Sequence, residues 1–260
     1  MISSEFEITL LIIALYGSTC VTFVYANEGV LQRVFRGERL RVGGYRVRIA
    51  GRSPILLNPF TPMFPAFRGQ WGRVEAIAAA PGLPARVPEV MDASAVLAPY
   101  VFAVFLYAIV GIPAALLLGG AVKALPIIGL AYLAAVVLVV RLWFLRDRFA
   151  LDGKKFALLA FESVVCLPFA AGMVRRLSLM VPLTEDLASF VVEMPVATRA
   201  QAIEILAARC GEMAEFHAED SPEAARLALY LACLSRLAGN VVDATSVAQN
   251  DNGIDDTEVS

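Results

Sequence analysis

The sequence predicts a mainly α membrane protein with three to four transmembrane helices, a small cytoplasmic β-hairpin region and a C-terminal helical hairpin. Three observations predict it. Hydrophobic residues make up 58% of the 260, above the roughly 45–50% of a soluble domain, and mean hydropathy is +0.68. The excess is gathered into long blocks, the pattern of bilayer-spanning segments. Ten of the 22 basic residues lie between Arg33 and Arg86, while the last 20 residues have none.

The first span runs from Ile8 to Tyr25. Its start, Met-Ile-Ser-Ser-Glu-Phe-Glu, is acidic, unlike the basic start of a cleaved signal peptide, so it reads as an uncleaved anchor within residues 1–26. Glu5 and Glu7 precede it, and Arg33, Arg36, Arg39 and Arg41 follow. The positive-inside rule then places the N-terminus outside and the loop in the cytoplasm.

Residues 27–93 form that loop. Glu28–Phe35 reads as a continuation of the first helix. The pattern then alternates on both sides of Gly43-Gly44, which predicts a hairpin with a two-residue turn. In that register Arg41 faces Arg46 and Arg39 faces Arg48, and like charges across a strand pair want anions. Arg39, Arg41, Arg46 and Arg48 are therefore the candidate site for anionic lipid or a carboxylate-rich partner. Further on, Pro59, Pro62 and Pro65 interleave with Phe60, Phe64, Phe67 and Trp71. Beside a membrane such aromatics seat at the interface.

Residues 94–176 form the membrane helical region. A second span covers Ala95–Leu118 and a third Leu125–Phe144, joined by Gly-Gly-Ala-Val-Lys-Ala as a tight hairpin, with Gly111 and Pro113 interrupting the second. The third ends in Arg141, Arg146 and Arg148, again cytoplasmic. A fourth segment, Phe156–Val174, is just long enough to cross. Basic pairs flank both its ends, and it carries Glu162 and a Cys-Leu-Pro break. The sequence leans to a crossing, with a re-entrant path as the alternative. Glu162 is the one candidate catalytic residue, because an ionisable group in a membrane helix is costly. The competing reading pairs it with Lys154, Lys155 or Arg148.

Residues 177–240 form a helical domain. A short helix spans Glu185–Glu193, a capping-box pattern at Thr198–Gln201 opens the next, and Ser221-Pro222 opens the last, which Gly239-Asn240 stops. Ile203, Leu206, Cys210, Met213 and His217 fall on one stripe, and Leu227, Leu231, Leu234 and Ala238 on the facing one. Cys210 and Cys233 are equidistant from the intervening turn, so a disulfide between them is open if the domain lies outside. Residues 241–260 read as a disordered acidic tail.

No phosphate loop, catalytic motif or standard metal-ligand spacing stands out, so neither cofactor nor metal is expected, and a net charge of −2 gives no general pull toward nucleic acid. The excess of Arg over Lys, 19 to 3, fits GC-rich bacterial coding. The expected function is that of a multi-pass protein of the bacterial inner membrane, a non-catalytic accessory, assembly or scaffold subunit. It would contact anionic lipid and another membrane or soluble protein. The alternative is an enzyme or carrier acting on an anionic phospholipid or lipid-linked substrate.

Overall fold

The first helix, α1, spans Ser4–Thr19 and stops short of Tyr25. The hydroxyls of Ser18 and Thr19 donate to the carbonyls of Leu15 and Tyr16 at 2.6 and 2.7 Å, taking up groups left over at the helix end. The next run, Val-Thr-Phe-Val, is β-branched and aromatic and prefers extended backbone. It forms β1 (Val21–Val24), paired antiparallel with β4 (Ser53–Leu56). The computed structural model describes residues 4–34, 37–43, 49–73, 86–181, 186–215 and 221–251.

A second sheet has β2 (Glu28–Val34) at its centre, with β3 (Gly37–Val42) and β5 (Ala66–Gln70) antiparallel on its two sides. One expectation is corrected here. Residues 28–34 are strand, not a continuation of the first helix. The strand also fits because Gly29 has no side chain: a Cβ there would lie 2.9 Å from Leu187 and 3.0 Å from the Arg41 carbonyl. On one side β3 pairs with β2, so that Arg39 faces Gln32 and Arg41 faces Val30; the hairpin expected across Gly43-Gly44 falls on residues outside those described. Residues 44–48 lie outside the described residues. In the Pro-aromatic stretch, Phe67 and Trp71 are core residues, and Phe60 alone of its four aromatics is strongly exposed, at 76%.

Among the described residues one helical stretch, Arg86–Leu145, is long and apolar enough to cross a membrane. It comprises α2 (Arg86–Val104), a π-helical segment Phe105–Gly111, and α3 (Ile112–Leu145). Pro113 explains the π segment: it has no N–H to give Ile109, and the ladder absorbs the loss with a wider turn. Within α3 the backbone leaves helical geometry at Gly120, φ 71° and ψ −178°, and the chain doubles back. Arg141 lies over the Tyr100 ring at 5.7 Å, and a Cβ on Gly111 would meet Ile127 at 3.0 Å. Two antiparallel arms result, as the Gly-Gly connection predicts. They bury heptad seams, Val87, Val90, Ser94, Leu97, Val101 and Val104 on one arm and Ala124, Ala131, Ala135, Leu138 and Leu142 on the other.

The fourth apolar segment is not one helix. α4 (Gly153–Val165), capped by the Asp152 carboxylate on the Lys155 N–H at 2.7 Å, ends at Cys166 in extended backbone. α5 (Leu167–Ala171) and α6 (Met173–Met180) follow. Pro168 stops α4 because it cannot continue the hydrogen-bond ladder. The chain then returns: Glu162 of α4 pairs with Arg176 of α6, and Lys155 and Met180 line one cleft. The segment expected to run as one helix over Phe156–Val174 is therefore broken into three and folds back on itself.

The C-terminal part has α7 (Leu187–Glu193), α8 (Val196–Ala214) and α9 (Pro222–Asp251). Ser221 caps α9 as expected, its hydroxyl accepting the Ala224 N–H at 3.1 Å. The capping box at Thr198 does not form; α8 begins at Val196, and the Thr198 hydroxyl donates to the Pro195 carbonyl. Nor does Gly239-Asn240 stop α9, which continues to Asp251 through residues expected to be disordered. A glycine costs a helix only about 1 kcal/mol relative to alanine, and no second breaker follows until Gly253.

Candidate functional site

Of the four arginines singled out, Arg39 and Arg41 are described, while Arg46 and Arg48 lie outside the described residues. Among the described residues β3 lies at the edge of its sheet, and Arg39 and Arg41 border a groove of about 250 Å³ shared with Thr198, Gln201 and Ile205 of α8. Arg41 also donates to the Leu56 carbonyl. Partial burial, and then the charge of Arg39, pulls the Arg41 guanidinium below its ordinary value. The pair therefore fronts a seam between the sheet and the C-terminal helices.

Glu162 is held by Arg176, and both side chains are about a quarter exposed, at 28% and 27%. Arg176 also lies 5.5 Å from the Phe169 ring. The partner is thus an arginine across the α4–α6 turn, not Lys154, Lys155 or Arg148. The carboxylate, with a guanidinium already in place, closes the helical turn.

Two buried polar centres escape a pattern-based reading. Arg175 is fully buried. Its Nη1 donates to the Cys20 sulfur at 3.1 Å, and its Nη2 to the Tyr16 hydroxyl at 3.3 Å and the Asn58 carbonyl at 2.9 Å. Tyr16 in turn donates to the Pro59 carbonyl. No carboxylate meets Arg175 among the described residues, and its Nε has no partner. Among the described residues neutral acceptors alone hold this cation, which ties α1, α6 and the β4–β5 connection together.

Asp186 is the second centre. It is fully buried, and its backbone bridges to Gln70 at the end of β5. Its carboxylate accepts the Ala188 N–H at 2.8 Å, the Arg73 N–H at 2.7 Å and the Tyr230 hydroxyl at 2.7 Å. One side chain therefore caps α7, holds the chain leaving β5 and anchors α9. Burial pushes the carboxyl above its ordinary range, against the opposing pull of those hydrogen bonds. Burial and the adjacent carboxylate also raise the Tyr230 hydroxyl. The Trp71 ring packs 6.2 Å from that of Tyr230. The run Asp186-Leu-Ala-Ser carries a legible N-cap signal; Arg175 looks from sequence like any flanking arginine.

Cys210 and Cys233 are free thiols. The Cys210 sulfur reaches the Leu227 carbonyl at 3.4 Å, so Cys210 sits level with Leu227. Cys233 lies six residues further along α9, about 9 Å of helix rise, beyond disulfide reach. Burial pushes the Cys210 thiol up to about 11. His217 lies outside the described residues.

Between the sheet and the first arm is a cleft of about 520 Å³, bordered by Arg33, Glu38, Met63, Phe64, Met91 and Pro195. It is largely apolar, with one charge of each sign at its rim. Such a wall suits a hydrophobic side chain or acyl segment better than a polar substrate. No protein-family model matches this sequence, and comparison with curated proteins and with solved structures gives no match.

Proposed function

We propose that this chain is a multi-pass membrane protein that carries one docking platform on the cytoplasmic face of a bacterial inner membrane and works as a non-catalytic accessory, assembly or scaffold subunit. The observation that carries the reading is the union of an apolar hairpin with a domain locked to its cation-rich end. The two arms about Gly120 are roughly 50 and 37 Å long at 1.5 Å per residue, against a hydrocarbon core of about 30 Å. Their outer faces are apolar and exposed, as at Leu118, Val122, Leu133 and Phe144. α1 offers Leu10, Leu11 and Ile13 in the same way.

Polarity of charge supports an orientation. Arg86, Arg141, Arg146, Arg148, Lys154 and Lys155 collect at the open end of the hairpin, and Lys123 alone lies near its tip. By the positive-inside rule the open end faces the cytoplasm. The α4–α6 turn returns to that end, so the sheet and α7–α9 belong on the same side. The two buried centres then serve rigidity: Arg175 fixes the platform to α1, and Asp186 fixes its helices to its sheet. The groove beside Arg39 and Arg41 and the apolar cleft near Met91 are open surfaces for a partner.

Gentle extraction followed by native mass spectrometry tests this reading. A stoichiometric second polypeptide is the expected result. A chain that always appears without another protein would contradict the subunit role, and release from membranes by alkaline carbonate would contradict the membrane role.

A further inference from the structure

Three cations from separate segments converge on one cleft at the open end of the hairpin. The cleft holds about 330 Å³ and is lined by Arg86 at the start of α2, Arg148 in the α3–α4 connection and Lys155 in the first turn of α4. Its floor is apolar, with Phe149, Leu151 and Val181 all buried. Among the described residues neither the Arg86 nor the Arg148 side chain makes a hydrogen bond or ion pair; the Arg148 backbone N–H donates to the Leu145 carbonyl at 3.1 Å. The Lys155 ammonium has only a loose, exposed contact with Asp152 at 3.8 Å among the described residues. The other nearby carboxylates, Asp147 beside Arg146 and Glu89 on α2, do not line the cleft. Ala150, which does, has φ +51°, a conformation uncommon for a residue with a side chain.

Like charges brought together without a counter-ion repel one another and lower the stability of the fold that gathers them. Two unpaired guanidiniums and an ammonium around one concavity are the donor set that grips a phosphate: forked N–H groups for its oxygens and a point charge beside them. We propose that this cleft is a phosphate-binding site, taking the phosphate of a lipid head group or of a small soluble phosphate. It is distinct from the groove at Arg39 and Arg41. Leu158, one turn beyond Lys155, and Phe144 are exposed and apolar, so a head group bound here would find a path for its chains.

The test uses the full chain in phosphatidylcholine nanodiscs, with orthophosphate binding followed by calorimetry. In parallel, native mass spectrometry follows phosphatidylglycerol retained from mixed-lipid discs. The expected result is saturable binding of at least one probe, weakened about 30-fold by Arg86→Gln with Arg148→Gln, at about a factor of five for each cation lost near an anion. Lys155→Gln alone weakens it less, and Arg86→Lys with Arg148→Lys retains most of it. Arg39→Gln with Arg41→Gln leaves it unchanged. Orthophosphate binding identifies a soluble source; phosphatidylglycerol retention without it identifies a head group. Binding of neither probe at millimolar concentration, or equal binding by wild type, the double Gln variant and Lys155→Gln, would overturn the proposal. A chain that proved water-soluble yet bound orthophosphate at these residues would sink the membrane reading and uphold the site.

Discussion

Replacing Asp186 with alanine removes one carboxylate and disconnects three segments at once. The helix α7 loses its cap, which costs about 1 kcal/mol. The Arg73 N–H and the Tyr230 hydroxyl lose their acceptor inside the protein, at about 1–3 kcal/mol each. Against this, the variant no longer keeps a carboxylate away from water, a penalty visible in its raised pKa. The net loss is about 2–4 kcal/mol, local to the platform. Native-state hydrogen exchange on the full chain in detergent reads it directly. Amides in α7 and in residues 222–237 of α9 should exchange about 30- to 1,000-fold faster, while those in residues 124–142 of the hairpin keep their wild-type rates. Asp186→Asn retains an acceptor but turns an amide N–H toward one of the three donors, and should cost about 1 kcal/mol. Wild-type protection of α9 in Asp186→Ala, or an equal loss throughout the molecule, would refute the claim that this carboxylate is the tie.

Three further outcomes are expected. Because its folded-state pKa is raised, Asp186 contributes stability that is full below about pH 4, the ordinary value for an unfolded Asp, and is lost as pH rises through the folded value; Asp186→Asn should remove that part of the pH dependence in unfolding measurements of the platform. Gly120→Ala should destabilise the hairpin by about 1–3 kcal/mol, since φ 71° with ψ −178° is open essentially to glycine alone, and cross-linking between cysteines placed at 111 and 127 should fall. A double-mutant cycle on Glu162→Ala and Arg176→Ala should give a coupling of about 1–2 kcal/mol, read from the exchange rates of α4; additivity would mean that the pair does not close the turn.

The parts of this fold that the sequence makes legible are those with local causes. Gly119-Gly120 between two apolar runs specifies a reversal, and Ser221-Pro222 specifies a helix start. The second sheet is different. β2 takes its neighbours from both sides, and its pairing with β5 joins residues such as Glu28 and Gln70, far apart in the chain. Val30, Leu31, Val34 and Phe35 fit a helix face as readily as a strand, so period alone could not decide between them. Phe67 and Trp71 read as interfacial aromatics because nothing local says that a strand and a tyrosine will cover them. Arg175 and Asp186 depend on partners set by tertiary structure: Cys20 and Asn58 for the first, Arg73 and Tyr230 for the second. A single polar residue in a connecting segment gives no hint of such a role, except for the N-cap pattern at Asp186. The sequence pattern around Gly43-Gly44 gave no sign that β3 also pairs with β2 on its other side.

The central claim is that the sheet and the C-terminal helices form one unit at the open end of the hairpin, with the tip on the other side of the bilayer. Single cysteines at Leu118, Lys154 and Ser235, each in a background otherwise free of cysteine, test it with a membrane-impermeant maleimide on spheroplasts and inverted vesicles. Cysteines at 154 and 235 should label only in inverted vesicles, and one at 118 only in spheroplasts. Labelling of 235 from the same side as 118 would mean that the α4–α6 segment crosses after all, and would contradict the account.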